Sequence, residues 1–365
     1  MNPALQKTLA FLLLLLAGYL LQRKIGSKQE LSGLKVLILS IILPATIFVA
    51  LLKVDVSSRM LLLPLLALVL NGLLYGISVW VLPRLGFAPD SRELRTMLLL
   101  VPSLAPGLSA FPFILEYLGD EPLALAALAD IGNKLFVLVI LYLVAMHWYY
   151  RVRGNAGVQT GRGEKLKNLG LSLLQEPVNL VILAALLMLS FGLTTTDLPV
   201  FVDDTVSRLA GLMSPIVLLF IGMAVRFNRR EAGLILRVLC YRAALGLVLS
   251  AALIYAGGLS GSLALLAVVF AQCAVSFWPF AHMAAVEGLQ QAAGGRSVFD
   301  LDLGLNVLAY SLPFSTVLIL GVLACGDWFA TAGHLLPVAG AFLVYPLAYV
   351  LRRPSSWRRE VEARA

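Results

Sequence analysis

Apolar runs of about 20 residues recur along this chain, divided by short polar stretches, and nothing else in it restricts the fold so sharply. A run of that length, wound as a helix, crosses a hydrocarbon core of ~30 Å. Spans are expected at 5–22, 33–52, 60–82, 96–118, 123–149, 172–193, 207–226, 233–256, 262–286, 303–324 and 332–351, eleven in all. The composition agrees: 60% of residues are hydrophobic and 13% charged, where a soluble domain carries about 25% charged residues. The expected class is an all-α polytopic membrane protein embedded in the lipid bilayer. Cys240, Cys273 and Cys325 lie at or inside apolar runs without metal-type spacing. They read as small packing side chains rather than a disulfide framework. The first run carries no small-residue cleavage site and is kept as a span, not a signal peptide.

Basic residues set the expected orientation, because Lys and Arg accumulate on the cytoplasmic side. With the N-terminus outside, the cytoplasmic segments hold 22 of the 28 basic residues, from Arg23, Lys24, Lys28 and Lys35 to the five arginines of the C-terminal tail. The outer segments hold only Lys7, Lys53, Arg59 and Arg208. Glu116, Asp120, Glu121, Asp197, Asp203 and Asp204 make the outer side acidic instead. The net charge of +8 is therefore read as membrane topology, with no nucleic-acid partner. The expected location is the cell membrane, multi-pass, with the C-terminus cytoplasmic.

Two phrases of one pattern (serine, any residue, aromatic, proline, phenylalanine) interrupt these runs. "SAFPF" occupies Ser109 to Phe113 and "SFWPF" occupies Ser276 to Phe280, 167 residues apart. Proline removes a backbone donor and clashes with the preceding turn, so both spans are expected to break. The first also carries Pro102, Pro106 and Gly107. Other features return in the same order: Pro44 and Pro215 are 171 residues apart, as are Asn71 and Arg242, and "DIGN" at 130–133 resembles "DLGLN" at 302–306. Together they suggest two five-helix halves, with spans four and nine in equivalent places. Five is odd, so the second half enters the membrane inverted. The divisions are a first repeat at 1–150, a basic linker at 151–171, a second repeat at 172–325, an extra helix at 326–351 and a basic tail at 352–365. Inverted repeats with interrupted helices are a common plan of secondary transporters, whose sites lie near the bilayer midplane.

The residues also resemble a known family. "AGYLLQRKIG" at 17–26, then "LILSIILPATIFVALLKVD", look like the opening two spans of the auxin efflux carrier family of permeases. So does "GLSAFPFILEYLGDEPLALAALADIGNKL" at 107–135, and "FWPFAHMAAVEG" through "LAYSLPFSTVLIL" is a looser match. The resemblance covers residues 9 to 325. It implies two inverted five-helix repeats whose broken helices in spans four and nine cross, and transport of small organic anions such as dicarboxylates, or of auxin in the plant PIN-type members. This chain departs from the family in two ways. No asparagine lies between Pro102 and Phe113, where the family often has one, and the eleventh span is extra.

Candidate substrate-binding residues follow from the interruptions and from polar groups inside spans. Ionisable groups at membrane depth are costly and often functional. Lys134 and Arg242 are the two basic residues that lie inside spans away from a loop. Lys134 can act directly, be neutralised by Asp130 at i,i+4, or snorkel outward. Arg242 can bind a carboxylate with its fork of donors or brace a neighbouring helix. His282, beside Gln272 and Pro279, can carry a coupling proton or be structural. Ser109 and Ser276 can donate to a carboxylate or bond back to their own helices. Phe111, Phe113, Trp278 and Phe280 offer an apolar wall beside Pro112, or ordinary packing. Asn133 and Asn306 are kept as pocket amides.

No H-E-x-x-H zinc motif or G-x-x-x-x-G-K-[ST] phosphate loop is present, so neither an enzyme nor an ATP-driven pump is expected, and no cofactor is required. The expected function is a secondary transporter exporting or exchanging small organic anions by alternating access. H⁺ or Na⁺ as coupling ion, and a homodimer, stay open. The competing readings are a sodium-coupled symporter of the bile-acid type and a membrane sensor with a transporter fold.

Overall fold

The computed structural model describes residues 3–25, 27–53, 60, 62–153, 177–224, 231–292 and 295–351. Most of the linker at 151–171 and all of the tail at 352–365 lie outside the described residues, as do the start of the sixth expected span and the end of the seventh. The described residues are mainly helical, without strands. Seven helices among them are long and apolar enough to cross a membrane, and the architecture is that of a helical membrane protein. Gln6–Leu21, Pro177–Ser190 and Gly261–Ala271 are shorter apolar helices.

The first half of the chain runs α1 (Pro3–Leu21), α2 (Lys28–Leu37), a π-turn at Ile38–Ile42, α3 (Leu43–Leu52) and α4 (Leu63–Val81). It continues through α5 (Arg92–Leu100), α6 (Pro106–Ser109), α7 (Phe111–Leu118), α8 (Asp120–Leu135), a second π-turn at Phe136–Ile140 and α9 (Leu141–Arg153). The second half comprises α10 (Pro177–Ser190), α11 (Val200–Gly211), α12 (Met213–Ala224) and α13 (Ala232–Gly257). It ends with α14 (Gly261–Ala271), α15 (Trp278–Ala292), α16 (Leu301–Cys325) and α17 (Ala332–Leu351). Local chemistry sets several of these ends. Ser27 and Glu30 cap α2 reciprocally, and Ser91 and Asp300 accept backbone N–H groups at the starts of α5 and α16. Gly258 stops α13 in the left-handed conformation, at φ 59°.

The helices sort by packing partners. The α1 helix lies along α12, and α3 packs on α10 and α11; α4 lies along α8, α5 against α16, α13 against α14, and α9 against α15. Glycine permits the closest approaches. A Cβ at Gly132 would run into the Pro64 carbonyl of α4, and one at Gly222 into the Leu15 carbonyl of α1. The eleventh apolar run, α17, packs along α13: the Tyr345 hydroxyl donates to the Gly233 carbonyl at 3.2 Å, and the Arg237 guanidinium lies 3.2 Å from the centre of the Tyr349 ring.

The buried apolar side chains form two separate clusters rather than one. One holds Leu104, Leu128, Ala244 and Cys273; the other begins at Val101, Phe136, Tyr241 and Val275. Four lengths of chain therefore pass from one cluster to the other within a few residues. The level at which they pass is occupied by buried polar side chains, among them Asn71, Ser103, Asn133, Lys134, Arg242, Gln272 and Ser276. A polar layer inside so apolar a body costs free energy unless its members are hydrogen-bonded, and its bonds identify what the layer holds.

Candidate functional site

Both expected interruptions exist, and they meet. The first opens at residues 101–105, between α5 and α6; the second at 272–277, between α14 and α15. The Ala105 N–H donates to the Ala274 carbonyl at 2.8 Å. The Ala274 N–H donates to Ser109 Oγ at 2.9 Å, and the Ser276 N–H to Ser103 Oγ at 3.1 Å. Ser311 Oγ of α16 accepts from the Val275 N–H at 3.3 Å. Each stretch of irregular backbone thus satisfies part of the other, as buried backbone requires.

The first break lies earlier than the repeated phrase suggests. Helix α5 ends at Leu100, and Pro106, at the first turn of α6, is the proline that follows the opening. Pro112 stands a turn and a half later, at the start of α7, after a second small discontinuity at Ala110 with φ −129° and ψ −42°. Pro279 by contrast falls in the first turn of α15, directly after its break. The extra turn α6 is therefore what places the two phrases out of step with the two openings. Phe111, Pro112 and Phe113 are buried in packing, with the Phe113 ring 5.8 Å from that of Phe11. Of the expected aromatic wall, they are core.

Arg242 braces the first opening. Its Nε donates to the Val101 carbonyl at 2.9 Å and its Nη2 to the Ser103 carbonyl at 3.0 Å, and the side chain is 3% exposed. These are carbonyls that the end of α5 leaves without helical partners. A cation there also complements the negative end of the helix dipole. Of its two expected roles, the one with bonds in this structure is the brace.

Asn133 serves the same stretch from α8. Its Nδ2 donates to the Leu104 carbonyl at 3.0 Å and to Asp130 Oδ1 at 2.7 Å, and its Oδ1 accepts from Asn71 Nδ2 at 2.9 Å. The Asn71 Oδ1 is buried without a hydrogen-bond partner. Lys134 lies 3.5 Å from Asp130 Oδ2 and donates to Asn179 Oδ1 of α10 at 3.4 Å. At 7% exposure it does not snorkel. The helical run continues from Asp120 through Val152, so Lys134 stands well inside it rather than near its outer end.

The remaining candidates separate. Gln272 Nε2 donates to the Ala243 carbonyl at 3.1 Å and fills the space left by Gly246. The Ser109 hydroxyl bonds back to the Ala105 carbonyl at 2.7 Å while accepting from span nine. Ser276 Oγ caps the Trp278 N–H at 3.4 Å. His282 Nε2 lies 3.0 Å from the Val137 carbonyl in the second π-turn, and its ring meets that of Tyr142 edge-on. Asn306 is not brought to the openings. Its amide donates to Glu231 Oε2 at 2.8 Å, before the start of α13, and the residue of α16 that touches the break is Ser311, less than two turns on.

Phe277 and Trp278, at the end of the second opening, are 46% and 42% exposed. Lys35 of α2 reaches across to Phe277, with Nζ 4.1 Å from the ring centre. Counted from sequence as a cytoplasmic loop charge, Lys35 falls inside the apolar helical run Gln29–Leu52. That overlap was the available signal. Ser103 and Ser311 gave none, because a serine in an apolar run is unremarkable until its partner is known.

No protein-family model matches this chain, and no curated protein matches it either.

Proposed function

We propose that this chain is a secondary transporter of small organic anions, a permease of the cell membrane built from two inverted five-helix repeats. The observation that carries the reading is the reciprocal bonding of the two interruptions. Ser103 and Ala274 are 171 residues apart, as are Ala105 and Ser276, the same interval that separates Pro44 from Pro215 and Asn71 from Arg242. Exchanging each residue for its counterpart carries the pair Ala105–Ala274 onto the pair Ser276–Ser103, and both pairs are bonded, the first through the Ala274 carbonyl and the second through the Ser103 hydroxyl. A two-fold relation between the halves accounts for that exchange, and supports the crossing of spans four and nine expected of the auxin efflux carrier type.

Broken helices that meet in a polar layer provide what a solute needs at mid-membrane: backbone groups and hydroxyls within reach, flanked by half-helix ends. The substrate is an anion because, among the described residues of this layer, the two buried cations Arg242 and Lys134 outnumber the one buried carboxylate, Asp130, and Lys35 stands over Phe277 in the second opening. Lys35 supplies the countercharge for the carboxylate, and Phe277 and Trp278 receive the organic body. The helices packed around α1, α3, α10 and α12 then move against those packed around the openings, exposing the site to each side in turn.

Reconstitution into liposomes tests this, using radiolabelled malonate, succinate, benzoate and indole-3-acetate with and without sodium and pH gradients. Saturable flux of at least one acid is expected. Binding of these acids without flux under any gradient would defeat the transport reading.

A further inference from the structure

Helix α7 stops at Gly119, which turns the chain away at φ 96°. The Gly119 N–H satisfies the Ile114 and Leu115 carbonyls, both at 3.1 Å. The next carbonyl, that of Glu116, is met from α1, where Lys7 Nζ donates to it at 2.5 Å. Directly past the glycine, Asp120 forms an ion pair at 3.0 Å with Lys53, the residue that ends α3. The helices α1 and α7 also meet through Thr8 Oγ1 and the Tyr117 hydroxyl, 2.6 Å apart. One turn further along α1, the Phe11 ring lies 5.8 Å from those of Phe113 and Tyr117.

These contacts join the two groups of helices that the transport reading moves apart. The α1 helix lies along α12 and α3 packs on α10, whereas α7 continues the span that holds the first opening, and α8 follows it. With the spans alternating in direction, the start of α1, the ends of α3 and α7 and the start of α8 share the face on which the chain begins. Basic residues are scarce on that face. Of the four expected there, Arg59 lies outside the described residues and Arg208 pairs with Asp204 on its own helix. The other two, Lys7 and Lys53, both reach the corner between α7 and α8. The second repeat has no such pair on the opposite face: 171 residues on, Lys7 is matched by Val178 and Lys53 by Ala224.

We propose that Lys7 and Lys53 form a one-sided latch, which sets the face on which the empty transporter rests closed. The inference rests on the transport reading and adds an inequality between the two faces. An ammonium at the last carbonyls of α7 complements the negative end of that helix. An ion pair open to solvent is weak, and weakness suits the role: the latch holds the empty protein and yields when the occupied site moves. Phe11 and Phe113, buried one turn further in, keep the corner dry while it is shut.

The test locks the latch and then loosens it. Cys325, the exposed native thiol, is first replaced by serine; Cys240 and Cys273 are buried and stay. In that background Lys53→Cys/Asp120→Cys is placed in liposomes and bridged with a bifunctional methanethiosulfonate. Flux of whichever of the four acids is carried should stop on bridging and return on reduction. Flux that survives complete bridging overturns the latch and leaves transport standing. The second arm needs no transport: Phe11→Cys is labelled with a polar maleimide in the detergent-purified full chain. Lys53→Asp should speed labelling about two- to fivefold, the factor that an exposed ion pair is worth. Asp120→Lys should match it, and the two together should restore the starting rate. Lys7→Gln should speed labelling to a similar extent. Labelling that ignores these charges, or a double exchange as fast as either single one, overturns the proposal. No flux of any acid overturns the transport reading, and the labelling rates alone then decide whether these charges hold the corner shut.

Discussion

The two interruptions solve opposite halves of one problem. At 101–105 the groups left over are carbonyls, those of Val101, Ser103 and Leu104, and they are met by donors from a guanidinium and an amide on neighbouring helices. At 272–277 the groups left over are N–H groups of Ala274, Val275 and Ser276, and they are met by the hydroxyls of Ser109, Ser311 and Ser103. A guanidinium is rigid, forked and always charged, whereas a hydroxyl rotates and costs little to detach. The first opening is thus fixed in place by its neighbours, and the second is held lightly, with Phe277 and Trp278 exposed beside it. The difference assigns scaffold to one half of the site and adaptability to the other.

The largest effect that follows is at Arg242. Arg242→Ala leaves two buried carbonyls without donors, and each such loss costs about 1–3 kcal/mol. A fall of roughly 2–5 kcal/mol is expected in unfolding of the detergent-purified protein. Arg242→Lys should recover part of it, because a single ammonium cannot span carbonyls two residues apart as the fork does. Full stability of Arg242→Ala would mean that the first opening is not braced at all.

A smaller loss is expected from the hydroxyls. Ser103→Ala and Ser109→Ala each remove one acceptor from a buried N–H, for about 1–2 kcal/mol apiece. Either serine matching Arg242→Ala in cost would erase the contrast between the openings. Ser311→Ala belongs with these two. Asn306→Ala does not: its amide is spent on Glu231, so unaltered anion flux is expected alongside an altered contact at the start of α13.

That last pair also shows how much of the site was legible in the sequence. The apolar runs announced the helices, since burial in lipid leaves little freedom in their length. The breaks were legible too, because proline acts through its own ring wherever it stands. The register of the breaks was not. Repeating "SAFPF" as "SFWPF" aligned Pro112 with Pro279, but the four residues of α6 intervene in one half only, and Pro106 does the corresponding work. Likewise Asn306 aligned with Asn133 by phrase, while Ser311 holds the equivalent place by contact. Which polar residue meets which backbone group depends on helix rotation, and one residue of misalignment turns a side chain by about 100°. Arg242 was visible as an unbalanced charge; that its partners are carbonyls follows only from where α5 ends.

The smallest expected change in stability is also the one that bears most directly on the adaptable half. Lys35 stands over the Phe277 ring at 4.1 Å, a contact worth about 0.5–1 kcal/mol at a partly exposed site. Lys35→Gln should therefore unfold almost as the wild type does. Its effect on transport should be larger, because in the proposed site the ammonium leaves the ring for the carboxylate of the arriving anion, and the lost attraction has no substitute nearby. A rise in KM of roughly tenfold with kcat little changed is expected, corresponding to ~1.4 kcal/mol of uniform binding. Phe277→Leu separates the two duties of the lysine: it removes the resting partner and leaves the countercharge, so KM should fall or hold. If both substitutions raise KM alike, the aromatic contact is part of the bound state rather than a stand-in for the anion, and the second opening is as fixed as the first.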